Sequence, residues 1–246
     1  MASKLARLFV RSPLAGGEDV ELDREPAHYL LNVLRLKPGD KLFVFNGSEG
    51  EWQAELQPAG RKQAKLLVER QTRPQIDGPD LYYLFAPLKR ARLDYMAQKA
   101  TEMGASLLRP VITRRTVAER VNTERLLANA IEAAEQCGIL RVPEVQQPAK
   151  LTEVLAAWDG MRLLIFADEQ AEQASPIAAL AAAAQGAPRP IAVLIGPEGG
   201  FDSEERALLL AQPFVLPISL GPRVMRADTA AVAGLALVNA VLGDWR

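Results

Sequence analysis

Two stretches decide how this chain reads: Ile195-Gly196-Pro197-Glu198-Gly199-Gly200-Phe201 and Leu220-Gly221-Pro222-Arg223-Val224-Met225-Arg226-Ala227-Asp228-Thr229-Ala230. Each is a Gly/Pro turn that follows an apolar, strand-like run and precedes a helix-like one. In an open α/β sheet, ligands sit outside the carboxyl ends of the strands. Two irregular turns at such ends would make a small-molecule pocket walled by backbone. Gly196, Gly199 and Gly200 allow close approach of a ligand or a left-handed backbone. The first stretch is neither a Gly-x-Gly-x-x-Gly dinucleotide turn nor a Walker loop, since no Gly-Lys-Ser/Thr follows.

Working outward, strands alternate with helices from Leu81 onward, which predicts an α/β domain with a mainly parallel sheet. Strands are expected at Leu81–Ala86, Leu107–Ile112, Leu163–Ala167, Ile191–Ile195 and Phe214–Leu220. Arg90–Met103 has Leu93, Met96, Ala97, Ala100 and Met103 on one helical face, with Gly104 as its stop. Asn122–Gln136 buries Leu126, Leu127, Ala130, Ile131 and Ala134. Ser175-Pro176 opens an alanine-rich helix, and Asp202 with Glu205 forms a capping box for another. Asp228–Leu242 is the last helix. It carries Ala231, Val232, Leu235, Leu237, Val238, Val241 and Leu242 around its circumference, which fits a helix buried on all sides. Residues 1–73 read differently, as short strands joined by turns at Lys37–Asp40 and Asn46–Gly50, with a short helix in Pro26–Leu36. That pattern suggests a small barrel or curled sheet. Thr72–Pro79 is the linker candidate, which gives domains 1–73 and 74–246.

The chain has 246 residues, 49% of them apolar, and a formal net charge of -1. The distribution of charge says more than its sum. Residues 84–125 hold nine Lys/Arg against four Asp/Glu, whereas residues 126–246 hold eight against fourteen. A basic middle points to an anionic partner on one face. Cys137 is the only cysteine, so no intrachain disulfide forms; it is expected to pack in the core. His28 is read as a capping or packing residue. No pattern of histidines or carboxylates suggests a metal. Thr229–Leu242 is too short for a membrane span, and the N-terminus lacks a signal-peptide pattern, so a soluble cytoplasmic protein is expected.

The two opening stretches resemble the signature of the 16S rRNA (uracil-N3) methyltransferase family, the RsmE type of the SPOUT superfamily. The resemblance extends through Leu88-Lys89 to Gln98–Gly104, Glu132–Gly138 with Val142-Pro143, His28–Arg35, and Phe45-Asn46-Gly47. It departs at Asp228, where glutamate is usual, and at Ile139, where arginine is usual. The resemblance implies a C-terminal SPOUT α/β trefoil-knot domain, an N-terminal PUA-like RNA-binding barrel, and a homodimer with its site near the interface. It also implies a bent S-adenosylmethionine held by Leu194, Gly196, Pro197, Glu198, Gly199, Gly200, Ile218, Leu220, Gly221 and Met225.

The implied reaction is methyl transfer to N3 of a uridine in 16S rRNA of the small ribosomal subunit. Uracil N3 carries a proton, so the site needs positioning, help with deprotonation, and stabilisation of negative charge on the base. Arg226 is assigned that last task, or a phosphate contact, against a salt bridge to Asp228 or Glu198. Glu198 is expected to accept a proton or to hold the cofactor's adenosine, and Asp228 to cap the last helix. Arg7, Arg11, Arg35, Lys89, Arg90, Arg92, Lys99, Arg114 and Arg115 are the expected RNA contacts. Two other readings compete: a ribose 2′-O-methyltransferase, and a non-catalytic RNA-binding or ribosome-assembly factor.

Overall fold

The computed structural model describes residues 5–245 apart from 59–63, 118–119, 173–174 and 186–188; for Arg90 it describes the backbone alone. The chain forms two units. One comprises Met1–Asp77 with Ala134–Val142, and the other Gly78–Ala133 with Pro143–Arg246.

The first unit is a five-stranded mixed sheet of β1 (Arg7–Phe9), β2 (Asp19–Glu21), β3 (Lys41–Phe45), β4 (Glu51–Pro58) and β5 (Ala64–Arg73). Its order is β1-β3-β4-β5-β2, with β1 parallel to β3 and the other pairs antiparallel. Leu8, Val20, Leu30, Leu42, Leu56 and Leu66 fill its core. The β3–β4 hairpin turns through Asn46, whose side-chain oxygen accepts from the backbone of Ser48 and Glu49. It ends at Gly50, where a Cβ would lie 2.2 Å from the Arg73 carbonyl oxygen, so only glycine fits. The expected helix in 26–36 is a short α1 (Arg24–His28) running into a π turn, Tyr29–Val33. The bond from Leu34 N–H to Tyr29 O (2.9 Å) widens that turn, and Arg35 ends it in the left-handed region at φ 57°. His28 is exposed at the end of α1.

A buried charge cluster ties residues 138–139 into this unit. Glu51 accepts from Arg7 at 2.5 Å and from the Thr72 hydroxyl at 2.9 Å. Arg7 and Arg73 donate in turn to the carbonyls of Ile139 and Gly138. Ile139 packs with Phe45, Ala134 and Leu140. It therefore serves an apolar contact where the family resemblance would place a cation.

The second unit is a seven-stranded, fully parallel sheet of β6 (Leu81–Phe85), β7 (Leu107–Ile112), β8 (Glu144–Val145), β9 (Ala149–Lys150), β10 (Leu163–Ala167), β11 (Ile191–Ile195) and β12 (Val215–Ile218). Its order is β12-β10-β11-β6-β7-β8, with β9 also on β7. Alternate residues feed two apolar layers. Tyr83, Phe85, Ile165, Val193 and Ile195 meet α2 (Arg90–Glu102), α3 (Thr123–Cys137), α5 (Pro176–Ala183) and α7 (Ala227–Val241). Leu84, Leu164, Phe166 and Leu194 meet α4 (Leu151–Ala156) and α6 (Ser203–Leu210). A sheet covered on both faces explains why these strands read as unbroken apolar runs. The caps fall as expected: Ser175 accepts from Ala178 N–H, and Asp202 and Glu205 form a reciprocal box.

Two-residue strands β8 and β9, the short β2 and the helix α4 lacked enough periodicity to be foreseen. Cys137 corrects another expectation. It is exposed rather than packed in the core, because the last turn of α3 turns Ala134, not Cys137, inward. Among the described residues no helix is long and apolar enough to cross a membrane, and no cluster of His, Cys, Asp and Glu could hold a metal ion.

Candidate active site

The loops leaving β10, β11 and β12 enclose a cavity of about 490 Å³. This lies within the range of small-molecule sites, roughly 300–1,000 Å³. Since β10 lies between β12 and β11 in the sheet, its loop is the middle one of the three. The cavity is lined by Ala167–Ala171 after β10, Ile195–Glu198 with Gly200 and Phe201 after β11, and Ser219–Met225 after β12. Ala227 and Ala230 of α7 and Arg206 of α6 complete it.

The two quoted stretches thus converge as expected, and each has a position that favours glycine, one for space and one for backbone conformation. A Cβ on Gly196 would lie 2.5 Å from the Phe201 ring, which packs edge-on against Phe166 at 5.0 Å. Gly221 holds φ 113°, which L side chains rarely adopt. Of the expected cofactor contacts, Gly196, Pro197, Glu198, Gly200, Leu220, Gly221 and Met225 line the cavity. Leu194 and Ile218 are buried strand residues behind it. The Gly199 carbonyl is taken by the Arg115 guanidinium at 2.6 Å.

The β10 loop was missed by sequence reasoning. Its only signal was the abrupt change from Leu163–Ala167 to Asp168-Glu169-Gln170. Asp168 is buried and paired with Arg206 at 2.9 Å, a contact that raises the arginine's pKa. Arg206 also reaches the Gln170 carbonyl at 3.5 Å.

Arginines from outside the cavity hold its β11 loop. Arg92, in the first turn of α2, pairs with Glu198 at 3.0 Å and lies 3.9 Å from Asp228. Arg114 pairs with Asp202 and Glu204, and its backbone N–H donates to Glu205. The partners considered for Arg226 therefore belong to Arg92. Arg226 itself is exposed, occupies the N-cap position of α7 between cavity residues Met225 and Ala227, and makes no ion pair among the described residues. Asp228 is not the cap. It lies in the first turn of α7, where its carboxylate accepts from Thr229 N–H and complements the helix dipole.

The expected RNA contacts divide by their surroundings. Arg7 is removed from that set, because its guanidinium is 7% exposed and committed to Glu51. Lys99 pairs with Glu102 and lies over Tyr95. Arg92 and Arg114 are paired as above. Arg11, Arg35 and Lys89 are exposed without an ion pair among the described residues. Arg115 is exposed and bonded to Gly199. The Arg90 side chain lies outside the described residues.

Comparison with known proteins identifies the family. A family profile described as an RNA methyltransferase domain matches residues 77–239, and one described as an RNA methyltransferase PUA domain matches 22–69. Ribosomal RNA small subunit methyltransferase E of Rickettsia conorii is 31% identical over 237 residues, 96% of each chain. The protein of the same name from Synechocystis is 32% identical, over 91% of this chain and 73% of its own. A Legionella pneumophila structure solved with bound S-adenosylmethionine superposes with a TM-score of 0.84 at 29% identity, covering 98% of this chain and all of that one. The expected fold class, an α/β methyltransferase domain preceded in the chain by a PUA-like domain, is the one observed. The chain belongs to the RNA methyltransferase family, within the group of the ribosomal RNA small subunit methyltransferases E.

Proposed function

We propose that this protein transfers the methyl group of S-adenosylmethionine to N3 of a uridine in 16S rRNA of the small ribosomal subunit. The observation that carries this is the cavity walled by three strand-end loops, with Arg226, which makes no ion pair among the described residues, between two of its lining residues. Its lining suits the cofactor. Ile195, Leu220, Pro222, Val224 and Met225 offer apolar surface for an adenine ring, and Gly196 and Gly221 keep the backbone close. Polar groups at Asp168–Gln170 and Arg206 face the same space. When bound, the cofactor supplies a methyl group already activated on a sulfonium.

The chain's own residues supply position and charge. Arg226 presents a guanidinium that stays charged and forks onto a carbonyl oxygen, which stabilises negative charge developing on the uracil as N3 loses its proton. Glu198, being committed to Arg92, holds the cradle loop in shape; this favours the cofactor-holding half of its expected role over proton acceptance. Arg92 neutralises Glu198 and Asp228, two carboxylates that would otherwise repel an incoming phosphate. Arg11, Arg35, Lys89 and Arg115 are the cations available to RNA phosphates. The protein acts in the cytoplasm as a homodimer. Val232, Ala233, Ala236 and Leu237, apolar and only half-buried on α7, support burial of that helix by a second copy.

The test is transfer of labelled methyl from S-adenosylmethionine to isolated small subunits. Arg226→Ala should lower kcat at least a hundredfold with little change in cofactor affinity or melting temperature. Near-wild-type turnover would remove Arg226 from the mechanism, and no transfer by the wild-type chain would refute the function. A monomeric mass in solution at working concentration would count against the dimer.

A further inference from the structure

Three carboxylates line the cavity, and two of them are already taken. Asp168 is bound by Arg206, and Glu198 by Arg92. The third, Glu169, is exposed to the cavity and makes no hydrogen bond or ion pair among the described residues. It stands beside the β11 cradle, with Oε1 3.2 Å from the point that a Cβ on Gly200 would occupy. The absence of a side chain at Gly200, which holds φ 66°, is what gives the carboxylate that space.

From the placement of this open anion we infer that Glu169 binds the α-ammonium of the cofactor's amino-acid end and so sets the direction in which the cofactor lies. This rests on the function proposed above. The cofactor carries two cationic groups, the sulfonium and the ammonium, and a neutral ribose diol. The methyl-bearing sulfonium must face the target base, which is assigned to Arg226, beyond the β12 loop. Glu169 is on the β10 loop instead. Of the two arginines in the lining, Arg223 is on the β12 loop, whereas the Arg206 guanidinium is anchored on the Glu169 side through Asp168 and Gln170. An open carboxylate and a fixed guanidinium on one wall match a zwitterion, ammonium to the first and carboxylate to the second. A ribose diol, being neutral, would leave the charge of the guanidinium unmatched. The apolar residues of the β12 loop, Leu220, Pro222, Val224 and Met225, are left for the adenine.

Calorimetry on the full chain separates the alternatives with three ligands: S-adenosylmethionine, S-adenosylhomocysteine, which keeps the ammonium but loses the sulfonium charge, and 5′-methylthioadenosine, which lacks the amino-acid end. Glu169→Gln should weaken the first two by about tenfold and leave the third unchanged. Glu169→Asp, which keeps the charge but shortens its reach, should fall between. An unchanged affinity for S-adenosylmethionine overturns the inference. Equal weakening of methylthioadenosine would place Glu169 on the ribose, and weakening of S-adenosylmethionine alone would place it on the sulfonium; either contradicts the assignment. A wild-type chain that binds none of the three overturns the parent reading and this one with it. Glu169 makes no contact that folding needs, and an unchanged melting temperature in both variants confirms that binding alone is being read.

Discussion

Gly196→Ala puts a methyl group where the structure has no room. The new Cβ would lie 2.5 Å from Phe201 Cε2, 3.0 Å from Cδ2 and 3.2 Å from Cζ. Ordinary contact begins at 3.4 Å, so the ring must retreat by 3.4 − 2.5 = 0.9 Å. Phe201 is not free to swing away, because its ring packs edge-on against Phe166, a buried residue of β10. Forced overpacking of this kind costs about 1–3 kcal/mol. For a chain of this size that is a fall in Tm of roughly 2–12 °C. The displaced loop is also the cradle, so cofactor affinity should drop by at least tenfold. Gly199→Ala is the internal control. Its Cβ would meet Arg115 at 3.5 and 3.6 Å, which is ordinary contact, and its stability should stay within about 0.5 kcal/mol of wild type. Thermal unfolding with calorimetric titration of S-adenosylmethionine reads both effects. Equal behaviour of the two variants would refute the packing argument at Gly196.

Two further predictions concern stability alone. The Tyr83 hydroxyl is fully buried and finds no hydrogen-bond partner among the described residues, and burial, with Asp228 acting in the same direction, holds its pKa well above the usual phenol value. Tyr83→Phe removes an unsatisfied group and should raise stability by about 1 kcal/mol in denaturant titration; a loss would mean that the hydroxyl is satisfied. Asp94 is held by a two-point contact from Arg125, the main reason that its pKa lies below the ordinary 3.8. A depressed folded-state pKa means that the contribution is complete above the unfolded value and is lost as pH falls through the folded one. Asp94→Asn should therefore cost about 1 kcal/mol at pH 7, with Arg125 largely exposed, and the gap from wild type should close below pH 3.8. A gap that persisted at low pH would show that packing, not charge, is responsible.

How much of this was legible beforehand follows from the kind of signal each feature leaves. Strands β6, β7, β10 and β11 are covered on both faces and so appear as apolar runs with sharp ends, which the sequence displays. The caps at Ser175 and Asp202 are local chemistry and were equally readable. The β2, β8 and β9 strands are held by partners far away in sequence, and runs of two or three residues carry no period. At the site, the glycine turns announced two walls of the cavity. The third wall, Asp168–Ala171, has no glycine or proline to mark it, and its role emerges only from β10 lying between β11 and β12. The arginines show the same limit. Composition identified a basic segment, but nothing local tells Arg7, turned onto Glu51, from Arg11, which faces solvent. Nor could it show that Arg92 and Arg115 reach across to the cradle loop. Cys137 was misplaced for a related reason, since the helical period alone did not determine which side of the last α3 turn would be covered.

The central claim is that this chain methylates N3 of a uridine in 16S rRNA. The most direct measurement is mass-spectrometric mapping of modified nucleosides in 16S rRNA from cells with the gene, without it, and with Arg226→Ala in its place. The account predicts one N3-methyluridine present in the first and absent from the other two. An unchanged N3-methyluridine in the deletion strain, or loss of a ribose 2′-O-methyl group instead, would contradict it.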